Sequence, residues 1–205
     1  MHLQNLILVF DLDNTLILRD QAMLDCIEKM FDVQLTHQQK IVVERKDEKG
    51  HSDRLAYCKW LKTYLNLNQS VDSIWEKIKN NIGYFVKINQ NANEVLRQLQ
   101  EHYELVLLTN GGTENQNRKI KQTGLDQFFP TNRIFISEEM GCRKPDPEAF
   151  QMVQNQFPSV NQFIMIGDHF EKDILGAKIF GWEAIYLNPL KDLNQIIDEL
   201  RHRYE

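Results

Sequence analysis

The chain has 205 residues, 42% of them hydrophobic and 26% charged, with a formal net charge of −5. This is ordinary globular composition, enough for one core and a small insert. The acidic balance gives no electrostatic footprint for a nucleic acid polymer or an anionic membrane, and no apolar run approaches the roughly 20 residues of a membrane helix.

Residues 1–10 carry no basic region and no small-residue cleavage site, so no signal peptide is predicted. Within them, LILVF at 6–10 is a continuous apolar run, the pattern of a strand buried on both faces. The run breaks at Asp11-Leu12-Asp13-Asn14-Thr15. From Asp20 to Phe85 the periodicity predicts four helices, at 20–33, 36–49, 52–66 and 70–86, with no strand. Thr36 with Gln39 has the form of a capping box, and Gly50 separates the second helix from the third. Tyr57, Trp60 and Trp75, at helical spacing among apolar residues, are expected to form the core of this block. Arg45, Lys46, Lys49, His51 and Arg54 read by default as a solvated charged face.

After Asn89, strands and helices alternate. Asn91 with Glu94 is expected to cap a helix reaching His102. A strand follows at 105–108, then a helix opened by Thr113 and Gln116 as a second capping box and stopped at Gly124. Strands are predicted at 133–137, 163–166 and 184–187. Asp146-Pro147-Glu148 is a helix start, with a carboxylate cap before a proline in the first turn. One helix ends at Gly181 and the last spans 190–203. Five apolar strands joined by helices predict an α/β fold, a Rossmann-like parallel sheet with helices on both faces. The organisation expected is a core of 1–16 and 89–205, with 17–88 inserted as an α-helical cap. Cys26, Cys58 and Cys142, odd in number and scattered, suggest reduced thiols in a cytoplasmic protein.

Open parallel sheets bind ligands at the carboxyl ends of their strands. Strand one ends on Asp11 and Asp13, and strand two on Thr109, Asn110, Gly111 and Gly112. Arg143-Lys144-Pro145 follows strand three. Strand four ends on Gly167-Asp168, with Asp173 five residues on. Convergence of Asp11, Asp168 and Asp173 calls for a cation, since two like charges about 4 Å apart repel by roughly 4 kcal/mol at an effective dielectric of 20. All-oxygen ligands and hard charge select Mg²⁺. Lys144 suits a phosphate oxygen, Thr109 offers a hydroxyl, and the two glycines let backbone N–H groups approach. A metal, a lysine and a hydroxyl around a carboxylate suit phosphoryl transfer.

These residues, in this order, resemble the motifs of the haloacid dehalogenase superfamily, in its branch with a helical cap after strand one. The first motif matches at Asp11, Asp13 and Thr15, the second at Thr109, the third at Lys144 before Pro145, and the fourth at Gly167, Asp168 and Asp173. The stretches LLTNG, ISEEMGCRKPDPEAF and IGDHFEKDILGAKIFGW extend the likeness. The TNG form of the second motif is similar to that of pyrimidine 5′-nucleotidases and N-acylneuraminate-9-phosphatase. The resemblance implies that Asp11 attacks phosphorus and that Asp13 is the acid on the leaving alcohol and then the base on water. It implies Mg²⁺ held by the carboxylates of Asp11 and Asp168 and the backbone carbonyl of Asp13, with Asp173 in support. Thr109, Asn110 and Lys144 would bind the phosphoryl oxygens. Dehalogenases and phosphonate hydrolases carry a different residue at Asp13, so its presence points to phosphate esters.

The expected activity is therefore a Mg²⁺-dependent phosphatase on a small-molecule phosphomonoester such as a nucleoside monophosphate or a sugar phosphate, acting as a monomer or a homodimer. A phosphomutase of the same family shares Asp11 and Asp13. A phospho-aspartate switch has similar groups but needs neither a cap nor an acid/base two residues on. The core motifs grip only phosphate and metal, so choice of leaving group is expected from the cap. There, the polar break at Gly50 singles out His51 and Arg54 as substrate contacts.

Overall fold

The computed structural model, described over residues 5–187 and 193–204, divides into two compact units: Met1–Ile17 with Ile88–Glu205, and Leu18–Lys87. The start of the last predicted helix, 190–192, and the first four residues read for a signal segment lie outside the described residues.

Strand β1 (Leu6–Phe10) is buried along its whole length, as its unbroken apolar run predicts. The second unit follows, with helices α1 (Arg19–Phe31), α2 (His37–Asp47), α3 (Arg54–Tyr64) and α4 (Val71–Asn81). α1 and α2 stop earlier than their periodicity suggested, because Asp32 (φ 51°) and Glu48 (φ 53°) turn left-handed at their ends. Thr36 and Gln39 form both bonds of the predicted capping box. Tyr57 is buried, and Trp60 stacks on Tyr64 with ring centroids 4.7 Å apart.

A charged centre organises the α2–α3 connection. Asp47, 1% exposed, accepts from Arg19 and, at 2.8 Å, from Arg54, whose guanidinium lies 5.9 Å from the Trp75 ring centroid. Arg19 also donates to Asp20 at 3.0 Å. Gly50 suits this turn because its φ is +87°, a conformation that other residues rarely adopt, and a Cβ there would also lie tightly, 3.1 Å, against the Arg19 guanidinium. Burial pushes the Asp47 carboxyl upward, but Arg19 and Arg54 outweigh it and hold it below the usual carboxylate range.

The first unit resumes with α5 (Ala92–Leu99), β2 (Glu104–Thr109), α6 (Thr113–Gln122), β3 (Ile134–Ile136), α7 (Ser137–Met140) and α8 (Pro147–Gln156). It continues through β4 (Gln162–Gly167), a π-helical turn at Phe170–Leu175, α9 (Gly176–Phe180), β5 (Glu183–Tyr186) and α10 (Asn194–Tyr204). The five strands form one parallel sheet in the order β3-β2-β1-β4-β5, which bears out the predicted fold class. Ile7, Val9, Val106, Leu108, Phe163 and Met165 share one core cluster with Phe150 and Trp182. Phe10, one residue from Val9 and so on the opposite face, meets Phe129 with ring centroids 6.2 Å apart. Two predicted caps differ. Asn91 precedes α5 in a left-handed conformation (φ 64°) with no side-chain cap bond, and Asp146 precedes α8 likewise without one. Proline takes the first position of α8, and the Ala149 N–H, which a cap would serve, donates instead to the Asp146 carbonyl at 3.0 Å.

Breaking a buried ion pair from one side strands the other charge, at a cost of about 3–5 kcal/mol. Asp47→Ala is therefore expected to lower stability by about that amount in urea unfolding. Because the folded carboxyl titrates below its ordinary value, its contribution is complete above the ordinary carboxylate pKa of about 4 and fades as pH falls through the depressed value. The parent and the variant should converge in acid, and a constant gap across that window would contradict this.

Candidate active site

β1 lies between β2 and β4, so the chain leaves it toward one neighbour and returns on the other. The carboxyl ends of strands around such a reversal are where open sheets bind ligands. Asp11 follows β1 directly, and its backbone N–H continues the ladder to Ile166 O at 2.9 Å. Leu12 O then accepts from the N–H groups of Thr15, Leu16 and Ile17, closing a tight loop that carries Asp13. Thr109 is the last residue of β2, and Asp168 follows the last residue of β4.

Asp11, Asp168 and Asp173 are all buried, and each offers a carboxylate oxygen within 4.8 Å of the others. The Lys144 ammonium, 1% exposed, stands 2.7 Å from Asp11 Oδ1 and 2.7 Å from Asp173 Oδ1. Burial, reinforced by Asp173 and Asp168 and opposed by Lys144, pushes the Asp11 carboxyl up to about 8. For Lys144 burial pulls downward, but the carboxylates of Asp11 and Asp173 outweigh it and raise the ammonium above its ordinary value. With three carboxyl groups facing one ammonium, a divalent cation would supply the missing positive charge and favour the ionised form of Asp11, and the donor set is all oxygen. The residues present fit such an ion.

Backbone detail holds this cluster. Asn110 clasps the Lys144 backbone at both ends of its amide: Nδ2 donates to Lys144 O at 2.8 Å, and Oδ1 accepts from Lys144 N–H at 2.9 Å. Asp173 Oδ2 accepts from His169 N–H at 3.0 Å, within the π-helical turn that delivers it. Such turns concentrate at functional sites. A Cβ on Gly167 would run into the Asp173 carboxylate, and one on Gly176 would lie 2.9 Å from Pro145. Both glycines therefore allow close approach.

The carboxylate of Asp13 lies outside the acidic trio. Lys119 Nζ donates to its Oδ1 at 2.7 Å and to its Oδ2 at 2.8 Å, and Gln116 Nε2 donates to Oδ2 at 3.0 Å. The same Gln116 amide reaches Thr109 Oγ1 at 2.7 Å. This corrects the second predicted capping box. Gly112 occupies the cap position of α6, Glu138 accepts from the Thr113 N–H at 2.7 Å, and Gln116 is turned inward. Gly111 gives it room, since a Cβ there would be 2.8 Å from Gln116 Cδ. Sequence reasoning missed Lys119 altogether. The available signal was α6 itself, TENQNRKIKQ, whose i, i+3, i+4 stripe reads Gln116, Lys119, Ile120 where an apolar stripe is normal.

Asp11, Asp13, Thr109, Asn110, Lys144, Asp168 and Asp173 thus all belong to the first unit and gather around the ends of three adjacent strands. His51 and Arg54 belong to the second. There His51 is exposed and Arg54 is engaged by Asp47 and Trp75.

The model of the haloacid dehalogenase-like hydrolase family matches residues 7–181. The HAD-hydrolase YfnB of Bacillus subtilis is 32% identical over 116 residues, 56% of this chain and 48% of that protein. The pyrimidine 5′-nucleotidase PynA of Streptococcus pneumoniae is 36% identical over 101 residues, 48% of this chain and 42% of that protein. A phosphoserine phosphatase of Thermus thermophilus is 36% identical over 85 residues, 41% of this chain and 33% of that protein. In each case the match spans less than half of the relative's length. In three dimensions, YfnB crystallised with bound magnesium superposes with a TM-score of 0.75 at 24% identity, covering 92% of this chain and 91% of that one. This last likeness establishes the fold.

Gly167→Ala should force the Asp173 carboxylate out of the cluster. Overpacking of this kind costs about 1–3 kcal/mol, so the thermal midpoint should fall, and added Mg²⁺ should raise it far less than in the parent. An unchanged response to Mg²⁺ would show that Asp173 is dispensable to the cation.

Proposed function

Because the chain belongs to the haloacid dehalogenase-like hydrolase family, we propose that it is a divalent-cation-dependent phosphatase acting on a small phosphomonoester. The observation that carries the reading is the buried Lys144 ammonium between Asp11 and Asp173, in a cluster that includes Asp168 and has Asp13 two residues beyond Asp11. PynA and the Thermus phosphoserine phosphatase, named for phosphate-ester chemistry, support it.

In this reading an Asp11 oxygen attacks phosphorus in line, the ester P–O bond breaks, and the alcohol departs with a proton from Asp13. Water then attacks the aspartyl-phosphate, giving its proton to Asp13 and releasing phosphate and the Asp11 carboxylate. Lys144 and the Thr109 hydroxyl hold the phosphoryl oxygens, while Asn110 fixes Lys144. Thr109 Oγ1 accepts from Gln116, so its own proton is left to donate toward substrate. Mg²⁺ held by Asp11, Asp168 and Asp173, with the Asp13 backbone carbonyl, would neutralise the trio and draw charge off the phosphoryl oxygens. Selection among leaving groups, nucleoside monophosphates or sugar phosphates, is assigned to the helical unit as a cap, with His51 and Arg54 as its contacts. The unpaired thiols of Cys26, Cys58 and Cys142 fit a cytoplasmic setting. Among the described residues no helix is long and apolar enough to cross a membrane.

A panel of phosphorylated metabolites, assayed for phosphate release, tests the proposal. Turnover should require Mg²⁺, vanish in chelator and return on re-addition. Asp11→Asn should lower kcat on every substrate by several orders of magnitude while the fold persists. Activity within tenfold of the parent in that variant would overturn the nucleophile assignment. His51→Ala and Arg54→Ala should raise KM and reorder the natural substrates, with a smaller effect on 4-nitrophenyl phosphate. Because Arg54 also holds Asp47, its variant should lose stability as well.

A further inference from the structure

Helix α6 buries a glutamine and a lysine on the face where a helix normally buries an apolar stripe. Gln116 is 1% exposed and Lys119 3%, beside the apolar Ile120 at 2%. Lysine is almost never buried to this degree unless it is paired, because its ammonium must be taken out of water. Both side chains reach the Asp13 carboxylate. Lys119 spans the two oxygens of Asp13 at 2.7 and 2.8 Å, and Gln116 adds a third bond at 3.0 Å.

We propose that Lys119 and Gln116 are positioning residues that fix the Asp13 carboxyl in its working orientation, with Gln116 coupling it to the Thr109 hydroxyl. The inference rests on the reading of Asp13 as acid and base. Asp13 lies on a loop whose next residue, Asn14, is left-handed (φ 59°), and 21% of its side chain is exposed to solvent, so its own loop leaves the carboxyl turned partly toward water. A proton-transfer group must stand within hydrogen-bond reach of the atom it serves, and small displacements lose rate steeply. The three bonds from α6 supply that constraint from a rigid element. Carboxyl oxygens accept such bonds whether or not the group carries a proton, so the same contacts serve both half-reactions. The Gln116 amide, donating also to Thr109 Oγ1 at 2.7 Å, ties the acid/base to the phosphoryl-binding hydroxyl in one fixed geometry.

A merely structural lysine would lower activity on all substrates alike, whereas a positioning role depends on the leaving group. An alkoxide needs protonation as it leaves and 4-nitrophenoxide hardly does. The test is therefore kcat and KM of Lys119→Met on the best alkyl phosphate of the panel and on 4-nitrophenyl phosphate, both with Mg²⁺. General acid–base catalysis contributes about 100-fold or more. In kcat/KM, which reports only the steps through departure of the alcohol and not hydrolysis of the shared aspartyl-phosphate, the alkyl ester is expected to lose about that factor and the aryl ester less than about tenfold. Should Lys119→Met fail to fold, Lys119→Gln is read in its place. In an Asp13→Asn background, adding Lys119→Met should cost nothing further, because the group it positions is already gone. Equal losses on the two esters, no loss on either, or losses that simply add to those of Asp13→Asn would each overturn the proposal. An Asp13→Asn variant with full alkyl-ester turnover would instead remove the acid/base reading itself, and the inference with it.

Discussion

The Lys144 ammonium lies 2.7 Å from each of two buried carboxylates, Asp11 and Asp173, with the buried Asp168 close by. Taking such charges out of water costs several kcal/mol per ion even after relaxation. The cost is tolerable only if each group is held where its neighbours compensate it. Much of the local architecture reads as the means of holding them. β1 delivers Asp11 by continuing its ladder one residue beyond the strand, Asn110 grips the backbone of Lys144, and Gly167 and Gly176 let Asp173 and Pro145 come close. The parallel sheet supplies the frame, since the carboxyl ends of β1, β2 and β4 lie side by side.

The site has two halves of different electrostatic character. One gathers three carboxyl groups and a lysine, a set whose charge balance a divalent cation would complete. The other holds a single carboxylate, Asp13, against the ammonium of Lys119 and the amide of Gln116. Asp11 and Asp13 are two residues apart, yet their environments diverge. Two carboxylates in unlike surroundings can take unlike roles, one as nucleophile and one as proton carrier, as proposed for this chain.

Much of this was legible in the sequence because it depends on short-range pattern. A fully buried strand needs a continuous apolar run, and LILVF at 6–10 reads as one. The alternation of apolar strands with helices pointed to the fold class, and Thr36 with Gln39 formed the capping box their spacing suggests. What was not legible depends on partners distant in the chain. Gln116 sits where a capping box places it, but Asp13, 103 residues away, and Thr109 draw its amide inward, while Glu138 takes over the helix start. Lys119 looks like any exposed helix lysine until Asp13, 106 residues earlier, is brought against it. Arg54, read as a candidate substrate contact, is engaged by Asp47, whose burial no local pattern announces.

The proposed chemistry depends on Asp11 as a nucleophile acting in the first of two successive displacements. Its most direct test is the stereochemical course at phosphorus, followed with a phosphate ester made chiral by oxygen isotopes and sulfur and turned over with Mg²⁺ in isotopically labelled water. Two in-line displacements, first by Asp11 and then by water, predict overall retention of configuration. Inversion would mean that water attacks the ester in a single step, and it would contradict the role of Asp11 as nucleophile.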